Sequence, residues 1–485
     1  MTIDRLEPTI VWRHFQTLCE TPRSSKHEDR LRDLLRAWGE ARKLECQVDA
    51  AGNLILKKPA TPGMEDRAGV VLQGHIDMVC QQNAGTGHDF QRDPIRPLLD
   101  DGWLVARDTT LGADNGIGVA LALAALEAED IAHGPLEVLL TVDEEAGMGG
   151  ARNLQPGLLQ GSLMLNLDTE EWGSYYTGCA GGMDVVARFP CPTEAAPANV
   201  CFRRIALTGL RGGHSGIDIH RGRGNAIKAL AQLLAELQGL ELRLASLEGG
   251  SARNALPREA WALVALPNEH LERLTLAIAD FERALRKQLS GKDEPPAIQL
   301  SDADPAPLLT AAAQQSLLAA LNAAPQGVKR MSAAVPGVVE TSDNLGVIRI
   351  EAGRCEAVFM VRSLIDAAAD KLADQIVALC RSHGGTAEKV GAYPGWQPDP
   401  ASPLLALGLR VFEREFGATP QIQVIHAGLE CGLIGARYPG MDMLSFGPDI
   451  RGAHAPGEAV EIASVGRCWH LLKALLAAVP PLSKD

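Results

Sequence analysis

Apolar residues recur every three or four positions in two segments near the start of the chain. Residues 8–20 and 27–42 therefore predict amphipathic helices. Ser25 and Glu28 have the spacing of a capping box, in which the two side chains satisfy the first free N–H groups of a helix. We expect this pair to begin the second helix.

Strand patterns follow these helices. Residues 44–58 alternate apolar and polar side chains around an Ala-Gly-Asn turn, which predicts a β-hairpin. The apolar runs at 69–78, 136–142 and 162–168 lack alternation, as is typical of central strands covered on both faces. A helical pattern at 114–129 separates two of these runs. Alternating strands and helices predict a doubly wound α/β sheet.

The pattern changes near residue 185. Two sets of strands and helices then extend to residue 393, and each set predicts a small antiparallel sheet with helices on one face. After this point the first pattern resumes with a long helix and further apolar strands. We therefore expect residues 1–184 and 394–485 to form one α/β domain with a doubly wound mixed sheet. Residues 185–393 would be an inserted α+β domain of one lobe or two.

Composition narrows the class of protein. The chain has 485 residues, of which 46% are hydrophobic and 22% charged, so it can bury a large core. Its 46 Lys and Arg against 60 Asp and Glu give a net charge of −14. This acidic balance argues against binding to nucleic acid or to an anionic membrane, and it leaves carboxylates to hold cations.

Cysteine usage and the N-terminal pattern bear on location. The ten cysteines are scattered without a Cys-x-x-Cys pair, which favours reduced thiols. Residues 1–15 lack the basic and apolar pattern of a signal peptide, and no apolar run reaches the length of a membrane span. We expect a soluble, cytoplasmic protein.

Polar residues that could do chemistry collect where the buried strands end. Taken singly, Asp114 could cap a helix, His75 could be a core histidine, and the others could belong to solvated turns. Together, carboxylates at four neighbouring strand or helix ends would repel one another in a cleft unless cations neutralised them. The candidate residues are His75, Asp77, Asp114, Glu144, Glu145 and Asp168.

Imidazole mixed with carboxylate suits zinc or a similar first-row divalent ion better than magnesium or calcium. Two such ions would need a bridging carboxylate and terminal ligands on each side. His454 is a candidate for a further ligand, because it lies in a Gly/Pro-rich loop that follows an apolar strand. The signal for nucleotide binding in "GADNGIG" is weak, because the G-x-G-x-x-G spacing is absent and an acid stands where phosphate would bind.

Several motifs occur in the order expected of one family, from the first helix to the last. Because of these motifs, the chain resembles the aminoacyl-histidine dipeptidases, which are the PepD-type branch of the M20 metallopeptidases. The motifs are "GHIDM", "TLGADNGIG", "TVDEEAGMGGA", "NLDTEE", "GCAGG", "GGHSG", "RNALPREA" and "IHAGLECG".

The resemblance implies a catalytic α/β domain with an inserted lid domain, and two zinc ions per chain. His75 and Asp168 match the terminal ligands of one ion, and Glu145 and His454 match those of the other. Asp114 matches the bridge. Cobalt or manganese could replace zinc.

The resemblance also implies catalytic roles. Asp77 matches the residue that orients His75, and Glu144 matches the general base that serves a metal-bound hydroxide. His214, in "GGHSG", matches a lid histidine that stabilises the oxyanion, in cis or from the partner of a homodimer.

For the substrate, Asn254 and Arg362 match residues that hold its carboxylate end, and Glu430 is a candidate for its amino end. One departure is visible: the family has His-Ser-Pro-Asp-Glu where this chain has Ala455 and Gly457 after His454.

The resemblance therefore predicts a dipeptidase that cleaves small unblocked dipeptides, including Xaa-His. Two alternatives stay open. One is another M20 reaction, such as deacylation of N-acyl amino acids or cleavage of tripeptides. The other is a catalytically silent metal-binding scaffold, against which the retained Glu144 argues.

Overall fold

The computed structural model describes residues 3–333, 335–351 and 353–482. The chain divides into two compact units. The first comprises the chain up to Gly178, Trp396–Val424 and the chain from Leu429 onward, and the second comprises Cys179–Gly395 and Ile425–Gly428. Among the described residues, none of the helices combines the length and apolar character that crossing a bilayer requires.

The N-terminal part of the first unit contains four α-helices and eight strands. In chain order they are α1 (Thr9–Glu20), α2 (Asp29–Ala41), β1 (Glu45–Val48), β2 (Leu54–Lys58), β3 (Val70–His75), β4 (Leu98–Asp100), β5 (Trp103–Val105), α3 (Ala113–Glu127), β6 (Leu136–Thr141), α4 (Gly149–Asn153), β7 (Leu163–Asn166) and β8 (Ser174–Cys179).

The second unit follows with a run of strands and four helices. They are β9 (Gly181–Pro190), β10 (Thr193–Glu194), β11 (Val200–Thr208), β12 (Gly213–His214), α5 (Ala226–Glu236), β13 (Arg243–Gly249), β14 (Ala255–Leu256), β15 (Ala260–Pro267), α6 (Leu271–Leu289), β16 (Ala297–Asp302), β17 (Leu308–Leu309), α7 (Ala311–Ala323), β18 (Gly327–Met331), β19 (Val339–Glu351), β20 (Arg354–Ser363), α8 (Asp366–Ser382) and β21 (Thr386–Tyr393).

The chain then returns to the first unit. The remaining elements are α9 (Pro403–Phe416), β22 (Gln421–Ile425), α10 (Glu430–Arg437), β23 (Asp442–Ser445), β24 (Ile450–Arg451), β25 (Ala459–Glu461) and α11 (Ile462–Ala478).

The main sheet of the first unit has eight strands in the order β1-β2-β6-β3-β7-β23-β8-β22. Its centre is parallel, because β3 pairs in parallel with both β6 and β7, and β7 pairs in parallel with β23. Every residue of β3 and β6 is buried, as their continuous apolar pattern predicts. The mixed, doubly wound sheet expected from the sequence is therefore confirmed.

Helix α3 is the most buried helix of the first unit, with only its last residue outside the buried set. Its alanines and glycines allow this close packing, since a Cβ at Gly118 would collide with the carbonyl oxygen of Leu167. The helix therefore holds its first turn, which contains Asp114, rigidly against the end of the sheet.

The second unit contains one nine-stranded sheet in which β13 pairs with β19. The two separate small sheets expected from the sequence are therefore wrong, because strands of both sets join one antiparallel sheet. Helices α5, α6, α7 and α8 share one apolar core with this sheet.

The capping box expected at α2 is also wrong. Glu28 is the N-terminal flanking residue of this helix and makes no side-chain cap hydrogen bond. Ser25 Oγ donates instead to Asp77 Oδ2 at 2.7 Å, and Glu28 Oε1 accepts from the backbone N–H of Asp143 at 2.9 Å. Both side chains therefore form hydrogen bonds with residues that follow the parallel strands β3 and β6.

Candidate dinuclear metal centre

The candidate ligands come from the carboxyl edge of the parallel sheet. His75 is the last residue of β3, Asp168 lies two residues after β7, and Glu145 follows β6. Asp114 lies in the first turn of α3, and His454 lies in the loop between β24 and β25. Parallel strands end at the same edge, so their following residues converge there.

The two imidazoles face opposite oxygens of one carboxylate. Nε2 of His75 lies 3.2 Å from Asp114 Oδ1, and Nε2 of His454 lies 3.1 Å from Asp114 Oδ2. His75 Nε2 is also 3.4 Å from Asp168 Oδ1, and His454 Nε2 is 3.1 Å from Glu145 Oε1. Each half of the cluster thus contains one imidazole and one terminal carboxylate, with Asp114 between them.

The position of Asp114 excludes its interpretation as a helix cap. Its side chain points to the two histidines, and the residue that precedes α3 is Gly112, without a side-chain cap. Gly112 has a φ of 70°, and a Cβ there would collide with the guanidinium of Arg23. The backbone before Asp114 therefore needs a glycine.

The residues of the cluster fit divalent cations. Burial raises the pKa of Asp168 to about 7, with repulsion from Asp114 and Glu145 adding to it and attraction to His75 opposing it. Such crowding of carboxylates is relieved by bound cations. Imidazole nitrogen and carboxylate oxygen are zinc ligands. Two groups, one of His75, Asp114 and Asp168 and the other of Asp114, Glu145 and His454, have ligand atoms within 4.8 Å of one another.

Asp77 is fully buried and lies behind the cluster. Its Oδ1 is 3.4 Å from Nδ1 of His75, and its two oxygens accept the backbone N–H groups of Glu144 and Glu145, each at 3.1 Å. Burial opposes its ionisation, but the hydrogen bonds from His75, Ser25 and the backbone outweigh burial and lower its pKa to about 2. Asp77 therefore fixes the orientation of His75 and the position of the two glutamates.

Glu144 is half-buried and lies among other carboxylates. Burial raises its pKa well above the usual range; attraction to His75 opposes this shift, and repulsion from Asp168 and Glu430 adds to it. Ligand atoms of Glu144, His75 and Glu145 lie within 4.8 Å of one another. A carboxylate in this environment holds a proton readily, as a general base requires.

Glu430 lies beneath the same edge of the sheet and is only 1% exposed. Its Oε2 accepts from Gln73 Nε2 and from Thr141 Oγ1, each at 2.6 Å. Burial raises its pKa to about 7, against attraction to His75. Glu430, which the sequence predicts to bind the substrate, is therefore hydrogen-bonded to strands β3 and β6, beside the candidate ligands.

In the second unit, His214 has a defined tautomer. Its Nδ1 accepts the backbone N–H groups of Gly216 at 3.2 Å and of Ile217 at 3.0 Å. The proton must then reside on Nε2. Burial, with a contribution from Arg362, lowers the pKa of His214 to about 4, so the ring is a neutral donor.

The two other predicted substrate residues also lie in the second unit. Arg362 is buried, and its Nη1 donates to the hydroxyl of Tyr393 at 2.8 Å. Asn254 is exposed, and its backbone oxygen accepts from the N–H of Ser215 at 2.8 Å, next to His214. Tyr393 had no signal in the sequence that linked it to Arg362.

Sequence reasoning missed several residues that support the cluster. The sequence predicts a helix cap for Ser25, presents Glu458 only as the last residue of the motif that begins at His454, and gives no signal for Arg23. Arg23 is buried and donates from Nη1 to the carbonyl oxygens of Ile76 and Asp77. The signal for Glu458 is its match to the final glutamate of the family motif His-Ser-Pro-Asp-Glu, which begins here at His454.

Comparisons with known proteins define the class of this protein. The model of peptidase family M20/M25/M40 matches residues 71–478, so the chain belongs to this family. The family expected from the motifs is therefore confirmed, and with it the assignment of the chain as an enzyme of the hydrolase class.

Individual relatives are similar over the whole chain. The cytosol non-specific dipeptidase of Escherichia coli strain K12 is 45% identical over 480 residues, which are 99% of both chains. The crystal structure of the aminoacylhistidine dipeptidase from Vibrio alginolyticus is 46% identical, covers 100% of this chain and 99% of its own, and superposes with a TM-score of 0.91. Aminopeptidase PepT from Bacillus cereus, at 17% identity, a TM-score of 0.55 and coverage of 98% and 99%, shares the fold.

Proposed function

We propose that this protein is a cytoplasmic dinuclear zinc dipeptidase that hydrolyses unblocked dipeptides, including Xaa-His. The observation that carries the proposal is the position of Asp114, whose two oxygens each face the imidazole of a separate ligand group. The names of the two full-length relatives support the dipeptide substrate and the cytosolic location.

In this proposal His75, Asp168, Glu145 and His454 would hold the ions, and Asp114 would be a ligand shared by both. Bound divalent cations supply two things, polarisation of the peptide carbonyl and acidification of a water molecule. Zinc suits the donor set, and cobalt or manganese would substitute for it. The left-handed backbone of His454, with a φ of 66°, is the kind of strained conformation that concentrates at functional sites.

The protein's own groups move the proton and the charge. Glu144 takes the proton of the attacking water and then delivers it to the departing amine, so that it acts as base and afterwards as acid. Asp77 keeps the Nε2 lone pair of His75 directed at the ions. His214, of this chain or of a homodimer partner, would donate a hydrogen bond from Nε2 to the oxyanion.

The net charge of the cluster supports a preference for substrates with a free amino terminus. Carboxylates predominate in and around the cluster, and they are Asp77, Asp114, Glu144, Glu145, Asp168, Glu170, Glu430 and Glu458. When all of them are ionised, their negative charge exceeds the positive charge of two divalent ions and the buried Arg23. An ammonium group is therefore favoured over a neutral acylated nitrogen. At the other end of the substrate, Arg362 and Asn254 would bind its carboxylate.

The test is the substitution Glu144→Gln, which keeps the shape of the side chain and removes its basicity. We expect hydrolysis of a free dipeptide to fall at least about a hundredfold, the lower end of what general acid-base catalysis contributes. Two equivalents of bound zinc should remain. The matched control is Asp143→Asn, since asparagine tolerates the left-handed φ of 55° at that position.

Retained turnover in Glu144→Gln would contradict the role of this residue as base. Zinc binding below two equivalents in the unmodified protein would contradict the dinuclear centre. An N-acetylated dipeptide assayed beside the free one separates the proposal from deacylation of N-acyl amino acids. A chain that binds zinc but cleaves neither compound would be a scaffold.

A further inference from the structure

The buried carboxylate of Glu458 accepts hydrogen bonds from four consecutive backbone N–H groups, the last of which belongs to Asp114. Oε2 of Glu458 accepts from the N–H groups of Leu111 at 2.7 Å and Gly112 at 2.9 Å. Its Oε1 accepts from those of Ala113 at 2.8 Å and Asp114 at 3.2 Å. Gly112, which precedes α3, and the first two residues of the helix are among these donors, and N–H groups at such positions have no partner within a helix.

The same side chain connects two parts of the ligand set. Glu458 follows His454 by four residues, and its own backbone pairs with the segment before α3, because the N–H of Ala106 donates to its carbonyl oxygen at 3.1 Å. The loop that carries His454 and the turn that carries Asp114 are therefore joined through one residue. Glu458 is 2% exposed, so water does not compete for these hydrogen bonds.

A buried positive charge holds the same turn from the other direction. Arg23 donates from Nη2 to the carbonyl oxygen of Gly112 at 2.5 Å, while its Nη1 holds the carbonyl oxygens of Ile76 and Asp77 at 3.1 Å and 2.9 Å. The peptide units before Asp114 thus lie between a carboxylate that accepts and a guanidinium that donates. This arrangement leaves the turn little freedom to shift.

We propose that Glu458 is a positioning residue for the metal centre, which sets the place of the bridging carboxylate of Asp114 relative to His454. Glu458 contacts backbone N–H groups and none of the five ligand side chains in the hydrogen bonds of the described residues. Its effect on the ions would therefore pass through Asp114. The inference rests on the dinuclear centre of the proposed function.

The substitution Glu458→Gln tests this role. Glutamine has one oxygen, so in either orientation of its amide the NH₂ group would face two N–H donors, and the first turn of α3 must move. We expect both zinc equivalents to bind about 10 to 100 times more weakly in competition with a chromophoric chelator. The visible absorption of the cobalt-substituted protein should change as well, because it reports the ligand geometry.

Two further variants complete the experiment. Glu458→Asp keeps the negative charge on a side chain that is one methylene shorter. We expect it to lose less zinc affinity than Glu458→Gln. Glu461→Gln is the matched control: this glutamate lies three residues further along, pairs with Arg467 at 2.6 Å, and should leave zinc affinity and the cobalt spectrum unchanged.

Unchanged zinc affinity and an unchanged cobalt spectrum in Glu458→Gln would overturn the proposal. The proposal would also be overturned if circular dichroism showed that both Glu458 variants are unfolded without metal. Glu458 would then be required for folding of the first unit rather than for the position of Asp114. An unmodified protein that binds no zinc would instead refute the proposed function, and this inference with it.

Discussion

The substitution Asp77→Asn removes the carboxylate behind His75 with little change in shape. Both oxygens of Asp77 are in use: Oδ1 accepts from the N–H of Glu144 and faces His75, and Oδ2 accepts from Ser25 and from the N–H of Glu145. In either amide orientation, the NH₂ group of asparagine would therefore face at least one backbone N–H.

The size of the effect follows from these contacts. A buried donor without an acceptor costs about 1 to 3 kcal/mol, and loss of the partner of a ligating histidine weakens metal binding about 10 to 100-fold. A hundredfold change in zinc affinity corresponds to about 2.7 kcal/mol, and it would arise if the backbone of Glu144 or Glu145 moved to satisfy that N–H elsewhere. We therefore expect weaker zinc binding and a comparable decrease in kcat/KM.

The assay combines chelator competition for zinc with dipeptide hydrolysis and thermal unfolding of the metal-free protein. Ser25→Ala is the graded control, because it removes one hydrogen bond from the same carboxylate and leaves both backbone N–H groups satisfied. Its zinc affinity should lie between those of the unmodified protein and Asp77→Asn. If Asp77→Asn has the same zinc affinity and the same kinetics as the unmodified protein, Asp77 does not orient His75 for metal binding.

Three further outcomes are expected. His214→Ala should lower kcat for a dipeptide about 100 to 1000-fold with little change in KM, because a neutral Nε2 donor to the oxyanion is lost; a change in KM alone would contradict this role. Arg362→Lys should raise KM more than it lowers kcat, since lysine cannot bind a carboxylate with two parallel hydrogen bonds, and Tyr393→Phe should have a weaker effect of the same kind. Removal of metal should lower the melting temperature, and zinc at a thousandfold excess over its dissociation constant should restore about 4 kcal/mol; an identical melting curve with and without zinc would argue against ions at the cluster.

The sequence predicted which edge of the sheet carries the candidate ligands, because the signals for this edge are local. His75 and Asp77 stand at i and i+2 of a strand end, so their side chains leave one face, and an apolar run marks where that strand ends. The doubly wound sheet followed from the same runs. These features depend only on periodicity within a few residues.

Features that depend on distant residues could not be predicted in this way. Ser25 has the local spacing of a cap, but its partner Asp77 lies 52 residues away. The single sheet of the second unit depends on β13 pairing with β19 through only two residue pairs, Glu248 with Arg349 and Gly249 with Ile348. Nothing within either strand marks its partner, so two separate sheets were the natural expectation.

The order of strands in the first unit bears on how the enzyme is made by the ribosome. Strand β8 has β23 and β22 as its neighbours, and both are synthesised only after the second unit. The nascent first unit therefore carries an unfinished sheet while residues 179–395 emerge, and those residues can already form their own core. Since His454 emerges last among the proposed ligands, a translating chain cannot assemble the complete cluster before its final segment leaves the exit tunnel.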